Sequence, residues 1–323
     1  MIRRYISTKT IPTKPVVDLA FHHVMPSASA VKGHLGPRPV LINLHGIFGS
    51  SAMFRSISKP LANELGVEVY SVDLRNHGDS PWAFPYDFMT HAKDVIHFIK
   101  TQVGAQTPVN LLGFSIGGKI GLLTTLCDQV NVTKCVSMDL PPYETPQLDD
   151  VVLQNYALIM KIINREIKIK RGTQNWKRML LDHFKALPAN QVNNGDPSLY
   201  FANGFYRVKK NNVSYEEEKA HRPIGDPYID YYLPLKQFPD LLDSVKAWPD
   251  LSGKENSGGV FQTSTDRSVL FMRALKSDFM KDDYSLLRKP FPNAKVHEFN
   301  TGHNMMVEEP ESTLQCIIDY LKE

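Results

Sequence analysis

The strongest constraint in this chain is a rhythm. Four short apolar runs, "RPVLINLHG" (38–46), "VEVYSVD" (67–73), "PVNLLGF" (108–114) and "VTKCVSMD" (132–139), alternate with three segments of helical spacing. The helical segments are "SISKPLANELG" (56–66), "MTHAKDVIHFIKTQVG" (89–104) and "IGGKIGLLTTLC" (116–127). In the second, Met89, Ala92, Val95, Ile96 and Ile99 share one helical face, and Gly66 ends the first as a C-cap residue should. Strands that are apolar throughout, rather than at alternate positions, are covered on both faces. Strand–helix alternation of this kind builds a mostly parallel sheet with helices on either side.

The rhythm breaks after residue 142. From 143 to 262 the sequence is mostly helical with polar and Pro-rich connectors, as in "QNYALIMKIINREIKI", "NWKRMLLDHFKALP" and "YEEEKAHRPIGDP". It resumes from 263 to the C-terminus with "SVLFMRALKSDFM", "NAKVHEFN" and "TLQCIIDYLKE". The expected organisation is a core of residues 17–142 and 263–323 interrupted by a helical lid over the carboxyl ends of the strands, where open α/β sheets bind ligands.

Residues 1–16 stand apart. They carry Arg3, Arg4, Lys9 and Lys14 with four hydroxyl residues, and no acid precedes Asp18. With no apolar h-region, this composition fits a mitochondrial transit peptide rather than a secretory signal. No stretch approaches the ~18 apolar residues of a transmembrane helix. A net charge of +3 and the absence of a clustered basic face exclude nucleic acid as a partner. Cys127, Cys135 and Cys316 are too scattered for a zinc site or a disulfide framework, and are expected to be buried thiols.

Chemistry concentrates at Gly113-Phe114-Ser115-Ile116-Gly117, a G-x-S-x-G between an expected strand and an expected helix. Such a turn is so tight that side chains two before and two after the serine would collide with neighbouring backbone. Glycine at both places holds the hydroxyl clear, over a helix N-terminus. The Ile116 amide there can face a developing oxyanion. A serine hydroxyl needs a base. Of eleven histidines, His22, His23, His34, His91, His97, His183 and His221 read as surface or helix-face residues, His45 and His77 as turn residues, and His297 as a strand residue. His303, in "NTGHNMMVEEP" between the last expected strand and the final helix, lies at the carboxyl edge of the sheet and last in chain order, as a base for such a serine should. Asp139, after the strand that follows the elbow helix, and Asp278, after the penultimate strand, can both supply the acid.

Together "LINLHGIFGS", "DLRNHGDSP", "GFSIGGK", "SMDLPP" and "TGHNMMVEEP" resemble the α/β-hydrolase superfamily, and within it the mitochondrial branch that includes the fungal ethanol acetyltransferases and related abhydrolase-domain proteins. The resemblance implies Asp139 as the acid, with Asp278 the alternative, and the Ile47 amide as second oxyanion donor beside Ile116. Pro141 and Pro142 would stiffen the strand exit at Asp139, which suits a residue that must hold one imidazole tautomer. Asp73, Arg75 and Asp79 read as loop braces, and Met305 and Met306 either as lining of an apolar site or, as is commoner for such stripes, as core.

With no phosphate loop, metal-spaced cluster or dinucleotide fingerprint, no cofactor is expected. The resemblance implies acetyl transfer from acetyl-CoA to ethanol through a Ser115 acyl-enzyme, with hydrolysis of short esters and thioesters beside it. A mitochondrial esterase or thioesterase, or a binding partner of a mitochondrial complex, are the other readings. Oligomeric state is not legible in the sequence.

Overall fold

The computed structural model describes residues 11–31, 38–191, 195–206, 227–253, 256, 258–280 and 283–323. Most of the transit-peptide segment and nearly all of "YEEEKAHRPIGDP" lie outside the described residues.

Seven strands form one sheet: β1 (Phe21–Val24), β2 (Val40–Leu44), β3 (Val69–Val72), β4 (Val109–Phe114), β5 (Val132–Met138), β6 (Ser268–Ala274) and β7 (Lys295–Phe299). Their spatial order is β1-β3-β2-β4-β5-β6-β7. Every pairing is parallel except β1 on β3, where Phe21 opposes Val72. The sequence reading missed β1. Its four residues are "FHHV", the first three exposed, so His22 and His23 lie on an edge strand with no apolar run to announce it.

The side-chain period of two sorts the sheet into two cores. Leu41, Leu112, Val136 and Leu270 face one cluster, with Leu61 of α2 (Arg55–Leu65) and Ile317 of α11 (Pro310–Lys322). Ile42, Leu111, Cys135 and Phe271 face the other, with Val95 of α3 (Phe88–Phe98) and Ile120 of α4 (Ile116–Thr125). Both faces being filled explains why β4 is buried at every position. Gly66 closes α2 in the left-handed conformation, φ 62.

Between β5 and β6 the chain leaves the sheet. It forms α5 (Asp150–Ile163), α6 (Trp176–Lys185), α7 (Ser198–Tyr206) and α8 (Leu241–Lys246), with three-residue 3-10 turns between. Apolar residues of this insertion, among them Ile159, Phe184, Phe205 and Leu235, continue the core on the α3/α4 side. Lys119 of α4 is fully buried and ties that side together.

Asp73 and Arg75 brace loops as expected, while Asp79 takes part through its amide and leaves its side chain exposed. Asp73 accepts from the amides of Ser51 at 2.6 Å and Asp79 at 2.9 Å. Arg75 forms a buried fork on Asp94, with Nε 2.6 Å from Oδ2 and Nη2 2.8 Å from Oδ1. One expectation, that for Cys316, needs correction, and those for His91 and for Met305 with Met306 resolve to one of their alternatives. His91 is a helix-face residue of α3, turned inward and 2% exposed. Cys316 is half-buried, unlike Cys127 and Cys135. Met305 is fully buried in the α2/α11 cluster with Met306 packed beside it, so both serve the core.

Candidate active site

β4 ends at Phe114, and the next residue, Ser115, turns the chain through φ 54, ψ −123 into α4. A non-glycine residue at positive φ is strained and persists only where its surroundings fix it. Here the Ser115 amide still donates to Met138 of β5 at 2.9 Å, extending the ladder past the strand end. The flanking glycines are demanded by contact, not by φ. A Cβ on Gly113 would lie 2.3 Å from the Gly117 carbonyl oxygen, and one on Gly117 would lie 2.1 Å from that of Leu44. The elbow is thereby pressed against β2 and the start of its own helix.

One strand over, Asp139 repeats the device. It follows β5 at φ 58, its amide donating to Met272 of β6 at 2.9 Å. Its side chain is fully buried. Oδ1 accepts from the Ala274 amide at 2.9 Å, and Oδ2 accepts from Nδ1 of His303 at 2.9 Å. Burial raises the pKa of this carboxyl, opposed by the His303 bond and by donors from Ser277 and Ala274. A carboxylate so held keeps the proton on Nδ1 and leaves Nε2 of His303 as the acceptor.

His303 is 6% exposed, in the loop between β7 and α10 (Met305–Glu308). Its ring lies 4.9 Å from Phe114 and 4.7 Å from Phe279, centroid to centroid. Contact with Phe114, the residue before Ser115, brings the imidazole to the elbow. Among the described residues no hydrogen bond joins Ser115 Oγ to His303 Nε2. Such bonds commonly tighten only in the complex with substrate. Asp278 does not bond His303. It is half-buried, its amide 3.5 Å from Asp149 Oδ2. Of the two acids the sequence left open, the structure gives the histidine to Asp139.

The expected oxyanion donors face the same end of the sheet. Ile116 is the first residue of α4, whose leading amides have no acceptor within the helix. The turn after β2 carries Ile47. There His45, read from sequence as a bland turn residue, does specific work. Its Nδ1 lies 2.7 Å from the Gly46 carbonyl, while Nε2 accepts from the Leu74 amide at 3.0 Å. The Gly49 amide also donates to the Gly46 carbonyl, at 3.0 Å. Carbonyl and amide point oppositely in a trans peptide, so pinning the Gly46 oxygen aims the Ile47 N–H the other way.

Sequence reasoning also missed two tyrosines. Tyr200 of α7 donates to the Ile47 carbonyl and Tyr232 donates to that of Gly49. Nothing in the local sequence around either residue announces a bond more than 150 positions away. Beside His303, Val151, Ala189, Pro197 and Asn304 line a small pocket, so the insertion walls the histidine side of the site. Among the described residues, no group of His, Cys, Asp and Glu is arranged to hold a metal ion.

An elbow serine and, after the last strand, a histidine bonded to a buried carboxylate form a recognised arrangement, and residues 39–310 match the family model described as alpha/beta hydrolase fold. The chain belongs to this family. Among curated members, it is 28% identical to "Ethanol acetyltransferase 1" of Eremothecium cymbalariae, over 97% of this chain and 83% of that protein. It is 29% identical to "Ethanol acetyltransferase 1" of Wickerhamomyces anomalus, over 97% of this chain and 76% of that one. Among solved structures, the "Marine microorganism esterase" superposes with a TM-score of 0.69 at 21% identity, covering 94% of this chain and 99% of that chain. That last likeness speaks to fold. Family and relatives together support an enzyme with acyltransferase or hydrolase activity.

Proposed function

We propose that this chain is an alcohol O-acetyltransferase that makes ethyl acetate from acetyl-CoA and ethanol through a Ser115 acyl-enzyme. The observation that carries the reading is the conjunction of the Asp139–His303 bond beside the elbow with relatives named ethanol acetyltransferase along 97% of the chain.

In the proposed sequence His303 Nε2 takes the Ser115 proton as Oγ attacks the thioester carbonyl, and the oxyanion forms against the amides of Ile47 and Ile116. Collapse expels the CoA thiolate, which leaves with the proton from His303. Ethanol then attacks the acetyl-serine, giving its proton to the same nitrogen, and ethyl acetate departs as Ser115 is restored. Water in place of ethanol gives acetate, so ester and thioester hydrolysis accompany transfer. A site that holds ethanol and excludes bulk water favours the alcohol. The basic, acid-free residues 1–16 support import into mitochondria, testable by whether they carry a fluorescent fusion there.

Product analysis tests the reaction: purified protein with acetyl-CoA, with and without ethanol, beside Ser115→Ala. Ethyl acetate from the wild type alone is expected. Acetate and CoA alone, in abundant ethanol, would mean a thioesterase. Turnover that survives Ser115→Ala would sink the acyl-enzyme.

A further inference from the structure

The turn that carries the Ile47 amide is held from outside the core. Tyr200 and Tyr232 both belong to the insertion between β5 and β6, and their hydroxyls reach the carbonyls of Ile47 and Gly49 at 2.5 Å each. Tyr200 is enclosed deeply enough that burial pushes its phenol well above the ordinary range, so it stays a donor at any working pH.

The turn is shaped around that hydroxyl. A Cβ on Gly49 would lie 2.7 Å from Tyr200 Oη, and one on Gly46 would lie 3.1 Å from the same atom. Neither glycine is at positive φ, so backbone freedom does not account for them. Room does: for the tyrosine at Gly49, and at Gly46 for the Phe114 ring, 2.8 Å from a Cβ there, with the tyrosine beside it. Between the two carbonyls sits Phe48 at φ 66, a conformation a bulky residue adopts only when its side chain is gripped. Its ring packs against Phe201 at 5.7 Å, Tyr231 at 6.1 Å and Tyr156 at 6.2 Å, all three from the insertion.

From these contacts we infer that Tyr200 and Tyr232 are positioning residues, which hold the Ile47 amide in its oxyanion-binding orientation by tethering the turn to the insertion. The site is thus complete only while the insertion is seated. This rests on the serine chemistry proposed above. His45 and the Gly49 amide fix one peptide of the turn. The next peptide carbonyl, that of Ile47, is bonded by Tyr200, and without that bond rotation about Ile47 can break the Gly49–Gly46 bond that helps to aim the Ile47 N–H.

The test uses Tyr200→Phe, Tyr232→Phe and the double variant of the whole protein, with p-nitrophenyl acetate as substrate and a trifluoromethyl ketone as probe. Ser115 Oγ adds to the ketone carbon and passes its proton to His303, leaving the former carbonyl oxygen as an anion in the hole. Tyr206→Phe, which removes a more exposed hydroxyl on the Lys177 carbonyl, is the control. Each site variant should lower kcat about tenfold with KM within twofold, less than the ~10²–10³-fold that follows outright loss of an oxyanion donor. Affinity for the ketone should fall by the same factor, while Tyr206→Phe changes neither. Ketone affinity and kcat unchanged in the double variant would overturn the tether. So would losses that track only the fraction of folded protein, read by circular dichroism. A wild type that forms no ketone adduct would sink the serine reading itself, and the tether with it.

Discussion

Lys119, one helical turn beyond Ser115, places Nζ 2.7 Å from the Ala247 carbonyl and 3.0 Å from that of Lys246. It also lies 5.0 Å from the Phe88 ring centroid. The helix that begins at the nucleophile thus holds the C-terminal end of α8, where cations and orphan carbonyls meet favourably.

Burial lowers the Lys119 pKa to about 7, opposed by the charge of Glu144. Between about pH 7 and the usual lysine value of 10.5 the folded protein therefore binds fewer protons here than the unfolded chain. Stability contributed by this group rises with pH through that window and is lost as pH falls to 7. Melting temperatures of wild type and Lys119→Met, taken from pH 6.5 to 9, should diverge in the wild type's favour as pH rises. A constant difference would refute the assignment.

Asp139 and Asp278 should separate by function. Asp139→Asn should reduce kcat for ester hydrolysis by roughly 10³–10⁴-fold, because the imidazole loses the partner that fixes its tautomer. Asp278→Asn should leave kcat within a few-fold. Steady-state kinetics on both variants decides, and equal losses would return the acid to dispute.

Gly117 has no room for a methyl group. The nearest backbone oxygens, of Leu44 and His45, would stand 2.1 and 2.6 Å from a Cβ. Gly117→Ala should destabilise by about 3 kcal/mol or more, since backbone on both sides must move. Gly121→Ala, one turn on, meets nothing closer than Cys135 Sγ at 3.3 Å and should stay within ~1 kcal/mol of wild type, as helix preference for alanine offsets the squeeze. Urea unfolding of the pair compares them directly.

Arg75 and Asp94 are 0% and 1% exposed at their side chains, and Asp94 also accepts from the Val17 amide at 2.8 Å. Asp94→Ala strands a buried guanidinium and should cost about 3–5 kcal/mol. Replacing both, as Arg75→Met with Asp94→Leu, should recover much of that loss. A double variant as unstable as the single would mean the fork acts through the loop it braces, not through its charges.

Much of this was legible beforehand, for identifiable reasons. Strands β2 to β6 announce themselves because burial demands largely apolar runs, β7 ("KVHEF") only by its place before the final helix, and Ser115 because its turn tolerates only glycine two residues away on either side. His303 follows from its place after the last strand. What the sequence hides is partnership at a distance. Asp139 and Asp278 each end a strand at the same edge of the sheet, and only the packed loops show which carboxylate meets the imidazole. β1 pairs through its backbone and leaves three of its four side chains in solvent, so no pattern marks it. His91 and Met305 look like face residues until the elements that cover them are in place. Tyr200 and Tyr232 are ordinary tyrosines in every respect but where they reach.

The aromatic grip on Phe48 also bears on how such a chain can change over evolutionary time. β5 and β6 are neighbours in the sheet, so everything between them is, topologically, a cassette that could be exchanged without disturbing a strand. A replacement that reshaped the cavity beside His303 would alter which molecules are accepted. It would also remove the two hydroxyls on which the turn depends. New specificity here is therefore not free to arrive as a wholesale graft: an incoming cassette inherits a catalytic duty along with a recognition one, and must bring its own means of discharging it.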